Sequence, residues 1–123
     1  MKAGDTFLAE IDRHLWVVLS DPDKDPERVL LVSITTITPT KDQACILPRG
    51  CHPWVTHDSC VAYGEARVCR MEDLTTLKNA GKLQPHDPLK PWLLQHIRES
   101  AADSTTMAEG DFDILLEQGL VEE

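Results

Sequence analysis

Two runs constrain this chain more than anything else in it: Leu15-Trp16-Val17-Val18-Leu19-Ser20 and Val29-Leu30-Leu31-Val32-Ser33-Ile34-Thr35-Thr36-Ile37. Both are rich in β-branched residues, and the first is apolar at nearly every position. A strand with one wet face alternates apolar and polar residues; a run without alternation reads as a strand covered on both faces. With 123 residues the chain is expected to form one domain around one core.

The remaining elements follow from local pattern. Thr6–Ile11 reads as a first strand with Phe7, Ala9 and Ile11 on one face, joined to the Leu15 run by a turn at Arg13-His14. Asp21–Pro26 is a proline-punctuated acidic loop. Ala44–Leu47 is a short run closed by Pro48-Arg49-Gly50. Trp54-Val55-Thr56 leads into an alternating strand, His57–Tyr63, with Gly64 as a bend, and Ala66–Cys69 ends the β half.

From Met71 the period changes. Met71, Leu74 and Leu77 predict a helix stopped at Asn79-Ala80-Gly81. Pro91 suits the first turn of a second helix, on which Trp92, Leu93, His96 and Ile97 share a face; Trp16 and Trp92 are expected in the core. Ser100–Thr106 reads as loop, and a last short helix carries Phe112, Leu115 and Leu116 inward up to Gly119. The expected fold is α+β: a small antiparallel barrel or curled sheet over about residues 3–70, helices over about 71–99, and an acidic extension over about 100–123.

No apolar run approaches the roughly 20 residues that span a bilayer, and the N-terminus lacks the basic and apolar regions of a signal peptide. The expected location is cytoplasmic. In that reducing compartment Cys45, Cys51, Cys60 and Cys69, without any CxxC pair, read as thiols rather than a disulfide framework. The net charge is −9, and residues 71–123 carry eleven acids against four bases. Nucleic-acid binders usually present a basic face, so any such role requires the few bases to converge.

Chemistry concentrates in two places. His57-Asp58-Ser59 sets an imidazole, a carboxylate and a hydroxyl side by side, and His14 follows Arg13. Two imidazoles with charged neighbours are the minimum for moving protons at a phosphodiester near neutrality. RNA brings its own nucleophile, the ribose 2′-hydroxyl, so a protein need only take that proton, stabilise charge on phosphorus and protonate the leaving oxygen. On this reading His14 and His57 transfer protons, Arg13 holds the phosphate and Thr35 or Thr36 positions it. Thr56, Ser59 and Trp54 contact the substrate, Trp54 by stacking on a base. Strand alternation would send His57 and Asp58 to opposite faces, leaving open which of them faces the groove. Cys51, His52, His57 and Cys60 are plausible zinc ligands, but Cys51 and His52 are adjacent rather than a spaced chelating pair; no metal or cofactor is expected.

The order of motifs resembles the PemK/MazF growth-inhibitor family, the toxins of bacterial toxin–antitoxin pairs. Gly4-Asp5-Thr6-Phe7-Leu8-Ala9 is similar to that family's opening strand. His14-Leu15-Trp16-Val17-Val18-Leu19-Ser20 resembles its second strand, and Ile34-Thr35-Thr36 the end of its third. Val55-Thr56-His57-Asp58-Ser59 falls where the family has a strand bearing an aspartate, and Leu89–Ile97 falls on its closing helix. The resemblance implies an SH3-like barrel with C-terminal helices, a homodimer, a cognate antitoxin, and metal-independent cleavage of single-stranded RNA that leaves a cyclic phosphate. It also implies that Thr35 is the phosphate-binding hydroxyl and Asp58 the strand carboxylate. The family's arginine before the second strand aligns with His14, with Arg13 one place upstream, and its proline aligns with Leu15. These departures, with the acidic charge, keep a second expectation open: a non-catalytic SH3-like barrel acting as a protein-binding or assembly module. The acidic tail (Glu109, Asp111, Asp113, Glu117, Glu122, Glu123) reads as a solvated helical face, or as a cover over a basic groove formed by Arg13, Arg49 and Arg67.

Overall fold

A computed structural model describes residues 1–122; Glu123, counted above with the acidic tail, lies outside them. Seven strands form one antiparallel sheet: β1 (Thr6–Ala9), β2 (Leu15–Val18), β3 (Val29–Thr36), β4 (Ile46–Leu47), β5 (Ser59–Val61), β6 (Arg67–Cys69) and β7 (Leu83–His86). The order is β4-β5-β3-β2-β1-β7, with β6 also on β3. The eight-residue β3 organises the sheet. One edge pairs with β2, Leu15 opposite Ile34; the other takes β5 and β6 end to end, Thr35 opposite Cys60 and Val29 opposite Cys69. The expected α+β class holds; among the described residues the sheet has two free ends, β4 and β7, and is an open antiparallel sheet rather than a closed one.

Both faces are covered, as the two apolar runs require. Leu15, Val17, Leu30, Val32 and Ile34 point into the larger core, which α2 (Pro91–Ser100) and α3 (Glu109–Glu117) close with Leu93, Ile97, Ile114 and Leu115. Their alternates Trp16, Val18, Val29 and Leu31 join Phe7 and Ala9 in a smaller core under Leu74 of α1 (Met71–Asn79). Each large side chain so buried stabilises the fold by about 1.5–3 kcal/mol before entropy. Polar ties fix the layers: the Tyr63 hydroxyl donates to the Ile97 carbonyl at 2.7 Å and Arg98 Nε to the Leu19 carbonyl at 2.9 Å.

Several local expectations change. β7 lies within the stretch expected to be helical; it holds Pro85 opposite Phe7, and proline is tolerated in a strand that pairs on one side only. Trp92 is 59% exposed, because α2 turns Leu93 and Ile97 inward and leaves Trp92 and His96 one position behind them on the wet side. Ile11 is 94% exposed in the β1–β2 turn instead of continuing the Phe7–Ala9 face. The strand expected over His57–Tyr63 is only Ser59–Val61, since Tyr63–Glu65 winds into a 3₁₀ turn and residues 54–58 are loop. The parity argument separating His57 from Asp58 therefore does not apply.

The β1–β2 turn is held by the Asp12 carboxylate, which accepts the Trp16 indole N–H at 3.0 Å and the His14 backbone N–H at 3.0 Å. Its geometry forces Arg13 to φ 61°, the left-handed region where a Cβ is strained. Arg13→Gly is expected to raise stability by about 0.5–1 kcal/mol, relief of strain exceeding the added unfolded-state freedom of glycine. A denaturant midpoint at or below wild type would show that the turn carries no such strain.

Candidate functional site

His14 lies one residue before β2, just beyond the Leu15–Ile34 pair, which sets it beside Thr35 of β3. Across β3, Thr36 pairs with Ser59 of β5. Beyond that edge the loop from Pro48 to Asp58 folds back over the end of the strands. Buried Leu47 and Val55 anchor it, Gly50 turns at φ +91°, and the Gly50 N–H donates to the Val55 carbonyl at 2.8 Å.

His52 is the centre of that loop and is 4% exposed. Its Nδ1 accepts the Trp54 backbone N–H at 3.1 Å, which assigns the proton to Nε2; that N–H donates to the Asp87 carbonyl at 2.7 Å. The bond ties the loop to the chain segment leading into α2 and sets where Trp54, Thr56 and His57 stand. Ser59 Oγ donates to the His57 carbonyl at 2.9 Å, fixing the backbone of that residue too.

The result is a hollow of about 460 Å³ whose walls include His14, Thr35, Thr36, Trp54, Thr56, His57 and Ser59. Seven of the nine residues expected to act together thus meet at one place. The other two do not. Arg13, turned away by its left-handed backbone, lines a separate hollow with Glu10, Lys82 and Gln84. Asp58 is exposed, and its carboxylate accepts the Arg49 backbone N–H at 3.2 Å instead of lining the histidine hollow.

A different cation lies beside Thr35. Lys41 Nζ donates to Thr35 Oγ1 at 2.7 Å and to the Thr36 carbonyl at 2.8 Å. Both acceptors are neutral, and Lys41 takes part in none of the ion pairs among the described residues, although Asp42 and Glu65 line the same hollow. Lys41 was missed in the sequence because it is six residues past Thr35, and only the return of the 37–45 loop brings it back. It lines a second hollow of about 500 Å³ that shares His14 and Thr35 with the first.

That second hollow is walled by the Asp42 carboxylate and Thr106. Asp42 accepts Thr106 Oγ1 at 2.6 Å and Ser104 Oγ at 2.5 Å, pinning the segment before α3 against the sheet. Gly64 sits beneath that segment; a Cβ there would come within 2.9 Å of Thr106 Cβ. Burial pushes the Asp42 carboxyl up, but the two hydroxyls and the Ala44 N–H outweigh it and hold the group below the ordinary aspartate value. A depressed carboxyl stabilises the fold above its unfolded pKa, about 4, and loses that contribution as pH falls through the folded value. Asp42→Asn is expected to cost about 1–2 kcal/mol at neutral pH, from two weakened charge-assisted bonds. It should also flatten the acid limb of the stability curve below pH about 4. An unchanged acid limb would show that another carboxylate governs it.

Cys60 also borders the second hollow, fully buried, and burial raises its thiol pKa despite the opposing charge of Lys41. A protonated buried thiol is a poor nucleophile. Cys51, His52, His57 and Cys60 do not form a metal-binding set: among the described residues, no three His, Cys, Asp or Glu side chains gather in that way. The arrangement therefore offers two imidazoles and several hydroxyls around one open hollow, with an ammonium in the hollow that adjoins it through His14 and Thr35. Groups of these types can exchange protons with a bound ester and neutralise its oxygens. No protein-family model, curated protein or solved structure matches the chain.

Proposed function

We propose that this protein is a toxin-like endoribonuclease that cleaves single-stranded RNA without metal, by general acid–base attack of the ribose 2′-hydroxyl. The observation that carries the reading is the meeting of His14 and His57, 43 residues apart in sequence, in one hollow with Thr35 and, among the described residues, no carboxylate in its walls. One imidazole takes the 2′-hydroxyl proton and the other protonates the leaving 5′ oxygen. Lys41, held over Thr35, faces the phosphate in the place expected for Arg13. Trp54 offers a surface for a base.

The finer fold reading belongs to the same proposal. A β3 strand that pairs with β2 on one edge and with β5 and β6 on the other supports reading the sheet as an SH3-like barrel opened between β4 and β7. A cytoplasmic homodimer with a cognate antitoxin completes it; no helix among the described residues is long and apolar enough to cross a membrane. The net charge of −9 and the outlying Arg13 favour the second reading, a non-catalytic barrel that binds or assembles other proteins.

Incubation with a long single-stranded RNA in excess chelator separates the two. Cleavage ending in 2′,3′-cyclic phosphate, abolished by a 2′-deoxy substitution at the scissile nucleotide, is the expected result. Intact RNA at micromolar protein would leave the assembly module standing.

A further inference from the structure

We propose that Arg49 and Lys90 form a second phosphate-binding station, so that the ligand of this protein is an extended single strand rather than a short fragment. The inference rests on the RNA reading above and says where the strand runs. A third hollow, of about 470 Å³, is lined by Arg49 and Lys90 and shares Pro53 and Thr56 with the histidine hollow. The two adjoin across that rim, and Trp54 stands on its histidine side.

Charge distribution makes this track unusual for the chain. The protein has 21 acidic residues against 12 Lys and Arg, yet among the described residues no carboxylate lines either hollow. Arg49 and Lys90 are exposed, and neither belongs to any of the ion pairs among the described residues. Asp58 reaches Arg49 only at its backbone N–H, leaving the guanidinium for a ligand. The track is the histidine hollow joined to the Arg49–Lys90 hollow, with Trp54 and both imidazoles on the first and the two cations on the second. Lys41 lies beyond it, in a hollow that shares His14 and Thr35 but also carries Asp42 and Glu65. Cations along a groove with an aromatic beside them suit a polyanion with flat bases, the chemistry of single-stranded nucleic acid. Contacts at the far station would fix the register of the strand while the histidine hollow receives the scissile phosphate.

The test is a titration by fluorescence anisotropy at several salt concentrations, using 2′-O-methyl RNA of about eight nucleotides, which resists cleavage. A 2′-O-methyl dinucleotide, a single-stranded DNA and an acidic peptide are the comparison ligands. In R49Q/K90Q the slope of log affinity against log salt should flatten by about 1.4, for two lost contacts at roughly 0.7 each on a single strand. Preference for the long strand over the dinucleotide should fall about tenfold. K2Q/K78Q, which makes the same charge change elsewhere, should bind as wild type does. An unchanged slope in R49Q/K90Q overturns the station, as does an acidic peptide bound as tightly as RNA. If wild type cleaves RNA but the slope is unmoved, only the station falls. If the slope flattens but nothing is cleaved, the station stands without the nuclease, and if no nucleic acid binds, both fall.

Discussion

His57→Ala is expected to lower the rate of RNA cleavage by about 10²–10⁴-fold, equivalent to about 3–5 kcal/mol of barrier. His14→Ala should fall in the same range. The two losses should not multiply, because both imidazoles serve one proton-transfer cycle and removal of either breaks it. The pH–rate profile separates a chemical role from a structural one. Each single variant should lose one limb of a bell-shaped curve, which a merely loosened fold would not produce. Structural damage should be small for His57, which is exposed on a loop whose buried anchors are Leu47, His52 and Val55. Its thermal midpoint should stay near wild type. If both alanine variants cleave at the wild-type rate, the shared hollow is not a catalytic site, whatever else it binds.

The parts of the fold that were legible in the sequence are those in which one residue type dominates. The Leu15 and Val29 runs announced strands covered on both faces, and two apolar cores now lie on either side of them. Gly81, Pro91 and Gly119 marked helix ends because their backbone needs are local; Gly81 and Gly119 adopt φ +76° and +68°. β7 was not legible, since Leu83-Gln84-Pro85-His86 has weak strand propensity and pairs only because β1 offers a free edge. The face of Trp92 was misjudged by one position, about 100° around a helix, enough to move it from core to solvent.

At the site, residue chemistry was legible and geometry was not. The imidazoles stood out by type, but that they share a hollow follows from β2–β3 register and from the His52 bond to the Asp87 carbonyl. Adjacency in sequence nominated Arg13, and a single left-handed residue turned it away. Lys41 was invisible because loop return, which no short motif encodes, places it over Thr35.

The C-terminal segment is acidic in sequence, and its composition suggested a detachable cover; the packing assigns it a different role. Ile114 and Leu115 of α3 lie in the larger core with Leu93 and Ile97, and Leu115 has no exposed surface. Among the described residues no acid of the segment pairs with Arg13, Arg49 or Arg67, the bases it was expected to cover: Arg13 and Arg49 line hollows on separate elements, and Glu117 pairs with Arg28 at 2.6 Å. That pair is well exposed on both sides, and exposed pairs contribute little. Apolar burial therefore decides the matter. Leu115→Ala is expected to cost about 2–5 kcal/mol, transfer and cavity terms together, a large share of the 5–15 kcal/mol typical of a small domain. Urea unfolding should show a lowered midpoint with an unchanged slope, while Glu117→Gln should barely move it. For the same reason, truncation at Ala102 should unfold the chain rather than uncover an RNA groove. A truncated protein that stays cooperatively folded and binds RNA more tightly at low salt would reverse this assignment and restore the tail as a cover.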